Sequence, residues 1–304
     1  MSIGNLITIQ ITMLILIFAG YLLQKCHVMS GSFRKELTDF ILNFILPCNI
    51  LKSFLMEFDA HILTDCSAIF LVSCGTQALS LFLARVFFRH APEGKRQPLQ
   101  YATQVSNAGF LGNPIVEGLY GSQGLLYASI YLIPLRILMW SVGVACFSGS
   151  RGKGVLKKVA THPCIVAATL GLVLMVTQLQ LPGWIISPLG MVGSCNTALS
   201  LLVIGGVLGE LDPRKVFHRQ TALYCFVRLL LIPLSVFVCC YALGLDGLVV
   251  KTAVVLAGMP APLTTAMLAS QYKKDEAFSV SLVFLSTLAS MVTIPLLCFL
   301  LTTV

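Results

Sequence analysis

Ten apolar segments, each about 20 residues long, follow one another along the chain with short polar loops between them. A helix of about 20 apolar residues spans the hydrocarbon core of a bilayer. The segments lie at residues 5–24, 37–56, 62–84, 98–119, 122–147, 161–180, 184–208, 220–243, 249–270 and 277–302. Only 11% of the residues are charged, whereas a soluble domain carries about 25%. We therefore predict an all-α membrane protein with ten transmembrane helices and no hidden soluble domain.

The basic residues predict how these helices are oriented. Most of the 20 Lys and Arg residues lie in the loops that follow spans one, three, five, seven and nine. By the positive-inside rule those loops face the cytoplasm, so both termini lie on the extracytoplasmic side. The net charge of +8 then reflects topology and does not indicate nucleic-acid binding. The predicted location is the cell membrane (inner or plasma), which the chain crosses several times.

The longest polar interruption divides the chain into two halves of five spans. The first five-helix repeat covers residues 1–148, a cytoplasmic linker covers 149–160, and the second repeat covers 161–304. Because five is an odd number, the second half enters the membrane from the opposite side. This arrangement is the inverted-repeat topology of many secondary transporters.

Spans four and nine are each broken by glycine and proline. One break reads SNAGFLGNP at residues 106–114, and the other reads AGMPAP at 257–262. A shift of 152 residues, half the chain length, aligns Asn107 with Met259 and Ala108 with Pro260. Broken backbone inside a bilayer is tolerated only where it is buried in protein or lines a cavity. A matched pair of such breaks therefore predicts a substrate site at the midplane.

Candidate binding residues come from the two breaks and from the fifth span. Pro260 and Pro262 should unwind span nine and leave a half-helix N-terminus that favours an anion. Arg136 lies deep in span five, where a guanidinium could pair with a substrate carboxylate. The predicted substrate-binding residues are Asn107, Gly109, Asn113, Pro114, Arg136, Met259, Pro260, Ala261 and Thr264. A purely structural kink is the alternative for both breaks, and a structural pair is the alternative for the arginine.

A second set of polar residues is predicted to have supporting or coupling roles. Glu117 could couple transport to protons, because burial favours the protonated form of a carboxylic acid, or it could be a hydrated interfacial acid. Arg228 in span eight could contact substrate, reach the interface or form a structural pair with a carbonyl or an acid such as Glu117. The predicted supporting residues are Asn43, Pro47, Glu117, Asn196 and Arg228. For the polar stretches of spans two and seven, hydrogen bonding between helices is an equally good explanation.

The sequence contains no catalytic motif. It has no H-E-x-x-H, Walker A or nucleophile-elbow pattern. The 11 cysteines include no C-x-x-C pair and are interpreted as small core residues. We therefore expect a protein that is not an enzyme and that uses no cofactor and no resident metal. Without an ATP site, transport is driven by an ion or substrate gradient, or is passive.

Several motifs together resemble the auxin efflux carrier family in its short bacterial form. They are LNFILP at 42–47, NAGFLGNP at 107–114, PLR at 134–136, LLVIG at 201–205, RLLLIP at 228–233 and STLAS at 286–290. The resemblance implies a fold similar to that of bile-acid sodium symporters, in which broken helices four and nine cross and a scaffold part moves against the crossing part. It also implies transport of small organic anions such as dicarboxylates. Bacterial relatives often have proline where this chain has Ala198.

These features predict a secondary active transporter for a small carboxylate, working by alternating access around a midplane site. The expected partners are the carboxylate, the lipid bilayer and a coupling proton or sodium ion, with a homodimer left open. The alternative is a membrane sensor or regulator that binds an organic acid without moving it. The two hypotheses differ in whether binding is accompanied by flux.

Overall fold

The structure is a computed structural model that describes residues 3–55, 60–139, 144–148, 161, 163–179, 181–209, 219–245, 247–262 and 264–303. Within these ranges the regular structure is helical and no β-strand occurs, which confirms the all-α class. The predicted linker at 149–160 lies outside the described residues.

The α-helices of the described residues are numbered here in chain order. They are α1 (Ile3–Lys25), α2 (Gly31–Phe40), α3 (Leu46–Ser53), α4 (Ala60–Phe88), α5 (Arg96–Gln104), α6 (Asn113–Leu138), α7 (Val144–Ser148), α8 (Pro163–Thr177), α9 (Gly183–Gly209), α10 (Arg219–Phe226), α11 (Ile232–Ala242), α12 (Gly247–Ala257), α13 (Thr264–Gln271) and α14 (Glu276–Thr303).

Several of these helices are long and apolar enough to cross a bilayer. In the described part of the chain, four stretches meet that criterion: Ile62–Phe88, Gly183–Gly206, Arg219–Ala242 and Glu276–Thr302. Shorter apolar helices cover Leu14–Lys25, Pro163–Thr177 and Gly247–Ala257. The chain is thus a multi-pass membrane protein, and the count of ten spans stays a prediction.

Three prolines follow widened, π-helical turns. The turns at Ile41–Ile45, Ala108–Gly112 and Val227–Leu231 each end two residues before a proline. Those prolines are Pro47, Pro114 and Pro233. A proline inside a helix donates no hydrogen bond and its ring clashes with the carbonyl four residues earlier. That carbonyl lies in the widened turn each time, so the π-helical turn accommodates the ring without ending the helix.

Spans four and nine are interrupted where the sequence predicts. Helix α5 ends at Gln104, Val105 is extended (φ −118°, ψ 129°), and helical structure resumes in the turn Ala108–Gly112. Helix α12 ends at Ala257, and α13 begins at Thr264. A third break lies at Gly121 inside α6, where φ is +66°, a conformation that glycine adopts readily. That position falls between the predicted spans four and five. By contrast, α9 runs through Ala198 without interruption.

The chain forms two compact units that interleave along the sequence. Unit 1 comprises Met1–Ser67, Phe110–Ile130 and Ala160–Leu211, and unit 2 comprises Ala68–Gly109, Tyr131–Val159 and Asp212–Val304. Helices α4 and α6 contribute residues to both units. These units are defined by spatial compactness, whereas the predicted repeats at 1–148 and 161–304 are defined by sequence and topology. The repeats stay a prediction.

Unit 1 is built around very close packing of α1 against α9. A Cβ atom placed on Gly20 would lie 2.0 Å from the carbonyl oxygen of Leu202, and one on Gly205 would lie 1.9 Å from that of Ile17. Gly205 and Gly209 are four residues apart, so both lie on the same face of α9. Small residues at this spacing let two membrane helices approach until their backbones touch. Beyond this pair, α9 packs on α3, and α3 packs on α8.

Unit 2 has an apolar core that includes one of the helix interruptions. The core consists of Phe88, Leu99, Ala102, Tyr224, Ala261, Phe278, Leu282 and Val283. These residues come from α4, α5, α10, the segment between α12 and α13, and α14. Ala261 is fully buried, so this extended segment is held in protein as the bilayer requires.

Candidate functional site

The two predicted interruptions are in direct contact within unit 2. The backbone N–H of Asn107 donates to the carbonyl oxygen of Pro260 at 2.8 Å. In an unbroken helix that N–H would bond the carbonyl of Thr103, four residues earlier. Because α5 has already ended, Asn107 bonds the other interruption, and the Thr103 carbonyl is left for another donor.

Arg228 is that donor, and it joins both interruptions. Its Nη1 donates to the carbonyl of Thr103 at 3.1 Å, and its Nε donates to the carbonyl of Met259 at 3.0 Å. One turn earlier on the same helix face, the Tyr224 hydroxyl donates to the carbonyl of Ala102 at 3.2 Å. The last carbonyls of α5, which have no partner within the helix, are thus capped by side chains, and a cation at a helix C-terminus is favourable.

The residues Thr103, Asn107, Arg228, Met259 and Pro260 are called the interruption cluster below. Arg228 is 2% exposed, so it does not reach an interface. In the described residues it bonds no carboxylate, and its guanidinium contacts backbone carbonyls. The cluster therefore carries a buried positive charge without an acidic counterpart.

A second arginine approaches the same interruption. Arg136 is 8% exposed, and its Nη2 lies 3.4 Å from the position that a Cβ on Gly109 would occupy. At that distance a Cβ would be in ordinary van der Waals contact, so the Arg136 guanidinium borders position 109. Two guanidinium groups of unit 2 therefore lie near the broken backbone, and the predicted contact of Arg136 with substrate stays a prediction.

The segment between α12 and α13 is fastened further by α14 and α5. The backbone N–H of Ala261 donates to Ser286 Oγ of α14 at 3.1 Å. The hydroxyls of Thr264 and Tyr101 of α5 are 2.9 Å apart. Ser286, Tyr101 and Tyr224 were missed by sequence reasoning, because their partners are backbone atoms or a residue far along the chain.

Some polar groups at the interruptions have no protein partner. The side-chain amide of Asn107 makes no hydrogen bond with the described residues, and Asn107 is 8% exposed. Ser106 Oγ and Thr265 Oγ1, which flank the two interruptions, are buried and unpartnered. Ser106 was not among the predicted binding residues, although the sequence places it beside Asn107. An unpartnered buried polar group costs about 1–3 kcal/mol, so these groups are available for a ligand or water.

Unit 1 holds a separate polar group, which is called the carboxylate cluster below: Asn49, Glu117, Asn196 and Thr197. Glu117 Oε2 accepts from Asn49 Nδ2 at 2.8 Å and from Thr197 Oγ1 at 3.3 Å. Asn196 lies beside the same carboxylate, and Lys52 interacts with it electrostatically. Glu117 is thus a half-buried carboxylate bound by neutral donors from α3 and α9.

The other predicted residues of unit 1 are placed as follows. Asn43 is exposed, and its amide donates to the carbonyl of Asp39 on its own helix at 2.8 Å. Asn113 is fully buried, and neither atom of its amide has a partner. Pro47 and Pro114 each follow a π-helical turn. No group of three or more His, Cys, Asp and Glu side chains among the described residues could hold a metal ion.

Comparison with known proteins identifies the family to which this chain belongs. The profile of a family described as membrane transport protein matches residues 6–158 and 150–298. The chain belongs to this family. It is the auxin efflux carrier family that the motifs resemble, so that resemblance is confirmed. The family is one of membrane transporters and not of enzymes.

Relatives match over nearly their whole length. The chain is 28% identical over 290 residues to an uncharacterized transporter of Methanothermobacter thermautotrophicus, covering 94% of this chain and 95% of the relative. It is 24% identical over 307 residues to an uncharacterized transporter of Methanocaldococcus jannaschii, covering 95% and 96%. It is 23% identical over 310 residues to the uncharacterized transporter YfdV of Escherichia coli, covering 97% and 96%. These names support transport and do not favour the sensor hypothesis.

Proposed function

We propose that this member of the membrane transport family is a secondary active transporter of small organic anions such as dicarboxylates. The observation that carries the proposal is the hydrogen bond from Asn107 to Pro260, which joins two helix interruptions beside an amide without a partner. Interrupted helices at matching positions are where secondary transporters bind their cargo. The proposed site in unit 2 consists of Asn107, Gly109, Arg136, Met259, Pro260, Ala261 and Thr264.

The charge of the interruption cluster favours an anion. Arg228 is buried and has backbone carbonyls as its partners, and Arg136 approaches Gly109. A carboxylate can accept hydrogen bonds from the Asn107 amide while the nearby guanidinium groups offset its charge. We assign Arg228 a positioning role, because its Nε and Nη1 atoms already bond the two interruptions.

The finer architecture is part of the same proposal. We propose ten transmembrane helices in two inverted repeats, residues 1–148 and 161–304, with broken helices four and nine crossing at the cluster. The basic loops put both termini on the extracytoplasmic side of the cell membrane. Alternating access would follow from movement of the part that carries the interruptions, driven by a proton or sodium gradient or by the substrate gradient itself. The residues proposed to shape this movement or to couple it to the gradient are Asn43, Pro47, Asn113, Pro114, Glu117 and Asn196.

Flux of labelled dicarboxylates into proteoliposomes containing the purified full-length protein tests this proposal. We expect saturable flux, and we expect Asn107→Ala to raise the apparent KM about 10- to 100-fold, as for the loss of a hydrogen bond to a charged group. Ser67→Ala is the control, because that exposed hydroxyl donates to the Leu63 carbonyl of its own helix.

Two results would contradict the proposal at different levels. Flux in Asn107→Ala with the affinity of the wild type would show that the site is elsewhere. Saturable carboxylate binding without flux in any gradient would show that the protein is a sensor and not a transporter.

A further inference from the structure

The polar groups around Glu117 in unit 1 are incompletely satisfied. Asn196 is 1% exposed, and its amide approaches the Glu117 carboxylate without a short hydrogen bond to any of the described residues. Both amide atoms of Asn113 also lack a partner among the described residues, and Asn113 lies one helical turn before Glu117 on α6. Ser200, one turn after Asn196 on α9, has a buried and unpartnered Oγ.

The spacing of these side chains places them on facing helix surfaces. Asn113 and Glu117 share one face of α6, while Asn196 and Ser200 share one face of α9. The hydrogen bond between Glu117 and Thr197, the residue that follows Asn196, shows that α6 and α9 meet at this level. Polar groups with no partner are rare in buried positions, and here they occur on both sides of one carboxylate.

The charge of the group identifies the kind of ligand that fits it. Glu117 is its one acidic side chain, and the donors that bind it are neutral. Lys52 is exposed and acts on Glu117 electrostatically, without a direct ion pair among the described residues. A carboxylate within a transmembrane helix is costly unless a cation neutralises it.

The ligand atoms available are all oxygens. The Glu117 carboxylate, the Asn196 amide oxygen and the Thr197 hydroxyl are hard donors of the kind that hard cations prefer, whereas Asn49 faces the carboxylate with its Nδ2. With a single carboxylate, a monovalent ion gives a neutral site, whereas a divalent ion leaves a positive charge beside Lys52.

We infer that Glu117, Asn196 and Thr197 form a binding site for one sodium ion in unit 1, with Asn49 holding the Glu117 carboxylate in position. Binding lets the unpartnered Asn196 amide contribute an oxygen ligand and neutralises Glu117 within the bilayer. This inference deepens the proposed function, on whose coupling role for Glu117 and Asn196 it rests, and it does not depend on which cargo is carried.

The experiment is a melting series on the purified full-length protein in detergent. NaCl replaces choline chloride at constant ionic strength, with a parallel series in KCl. We expect sodium to raise the melting temperature in a saturable way by about 2–4 °C, and we expect potassium to do so at higher concentration. Glu117→Gln abolishes the sodium response, while Glu36→Gln, the same change at an exposed position of α2 in unit 1, retains it.

Two further variants test the ligand set even if Glu117→Gln does not fold. Thr197→Val weakens the apparent sodium affinity about 2- to 10-fold, and Thr169→Val, whose hydroxyl bonds its own helix, leaves it unchanged. Lys52→Gln strengthens sodium binding about 2- to 5-fold, because it removes a competing positive charge. If Lys52 were the permanent counter-ion of Glu117, the wild type would show no sodium response and Lys52→Gln would lower the melting temperature.

Other outcomes would overturn the sodium site. An equal rise in sodium and potassium relative to choline would show a non-specific effect of small cations, and an unchanged response in Glu117→Gln would place the ion elsewhere. A response to pH without a response to sodium would show that Glu117 binds a proton only. The failure of labelled dicarboxylate flux would refute the proposed function and leave this result intact.

Discussion

The interruption cluster of unit 2 and the carboxylate cluster of unit 1 each contain a charged side chain, but the two charges have different partners. Arg228 is almost fully buried and bonds the backbone carbonyls of Thr103 and Met259. Glu117 is half-buried and bonds the side chains of Asn49 and Thr197, with unpartnered polar groups beside it. The first charge therefore holds broken backbone in place, and the second is available for a small ligand.

The two units also differ in how their helices are fastened. In unit 2, side chains cap backbone groups that the broken helices leave open, as Tyr224 and Ser286 do. In unit 1, glycines bring α1 and α9 into backbone contact. Removing a hydrogen-bonding side chain should therefore destabilise unit 2, and adding side-chain volume at a glycine should destabilise unit 1.

Replacing Arg228 should have the largest effect on stability. Arg228→Met removes both hydrogen bonds and leaves two buried carbonyls without their donors, so we expect a loss of about 3–5 kcal/mol. Arg228→Lys keeps the charge but lacks the planar guanidinium that bonds two carbonyls. Its stability should therefore lie between those of Arg228→Met and the wild type. Thermal unfolding in detergent measures the loss.

The control for this prediction lies on the same stretch of chain. Arg219 is exposed at the start of α10, and Arg219→Met should change stability by no more than about 0.5 kcal/mol. A loss for Arg228→Met as small as that for Arg219→Met would mean that Arg228 does not hold the interruptions together.

The second largest effect is expected in unit 1. A Cβ on Gly205 would lie 1.9 Å from the Ile17 carbonyl oxygen, and because that atom is backbone, the helices must separate. We expect Gly205→Ala to cost about 1–3 kcal/mol, as overpacking does. Gly75→Ala on α4 meets no atom within 4 Å and should raise stability by about 0.5–1 kcal/mol, measured in the same unfolding assay. A stabilising Gly205→Ala would contradict the close packing of α1 and α9.

Much of the fold could be predicted from the sequence, because hydrophobicity and helix-breaking residues act locally. Glycine and proline at 106–114 and 257–262 predict the two interruptions, and the helix is interrupted in both places. The π-helical turns were not predicted, although each precedes a proline by two residues. That spacing in an otherwise helical apolar segment is a signal that could have identified them.

The partners of the charged groups could not be predicted in the same way. Arg228 bonds carbonyls 125 and 31 positions away, and a carbonyl has the same chemistry at every residue. The bond between Asn49 and Glu117 spans 68 positions, and a single sequence does not reveal such pairs. The sequence therefore marks which residues need a partner, and the tertiary structure determines which partner each one has.

The smallest effect on stability is expected from replacing one of two serines on α14. Ser286→Ala removes the acceptor for the Ala261 N–H and should cost about 0.5–1.5 kcal/mol, because that buried donor loses its partner. Ser290 is equally buried, but its hydroxyl donates to the Thr287 carbonyl of its own helix, so Ser290→Ala should cost less than about 0.5 kcal/mol. The difference between their melting temperatures isolates the contact with the interruption. Equal values would show that α14 does not fasten the broken segment.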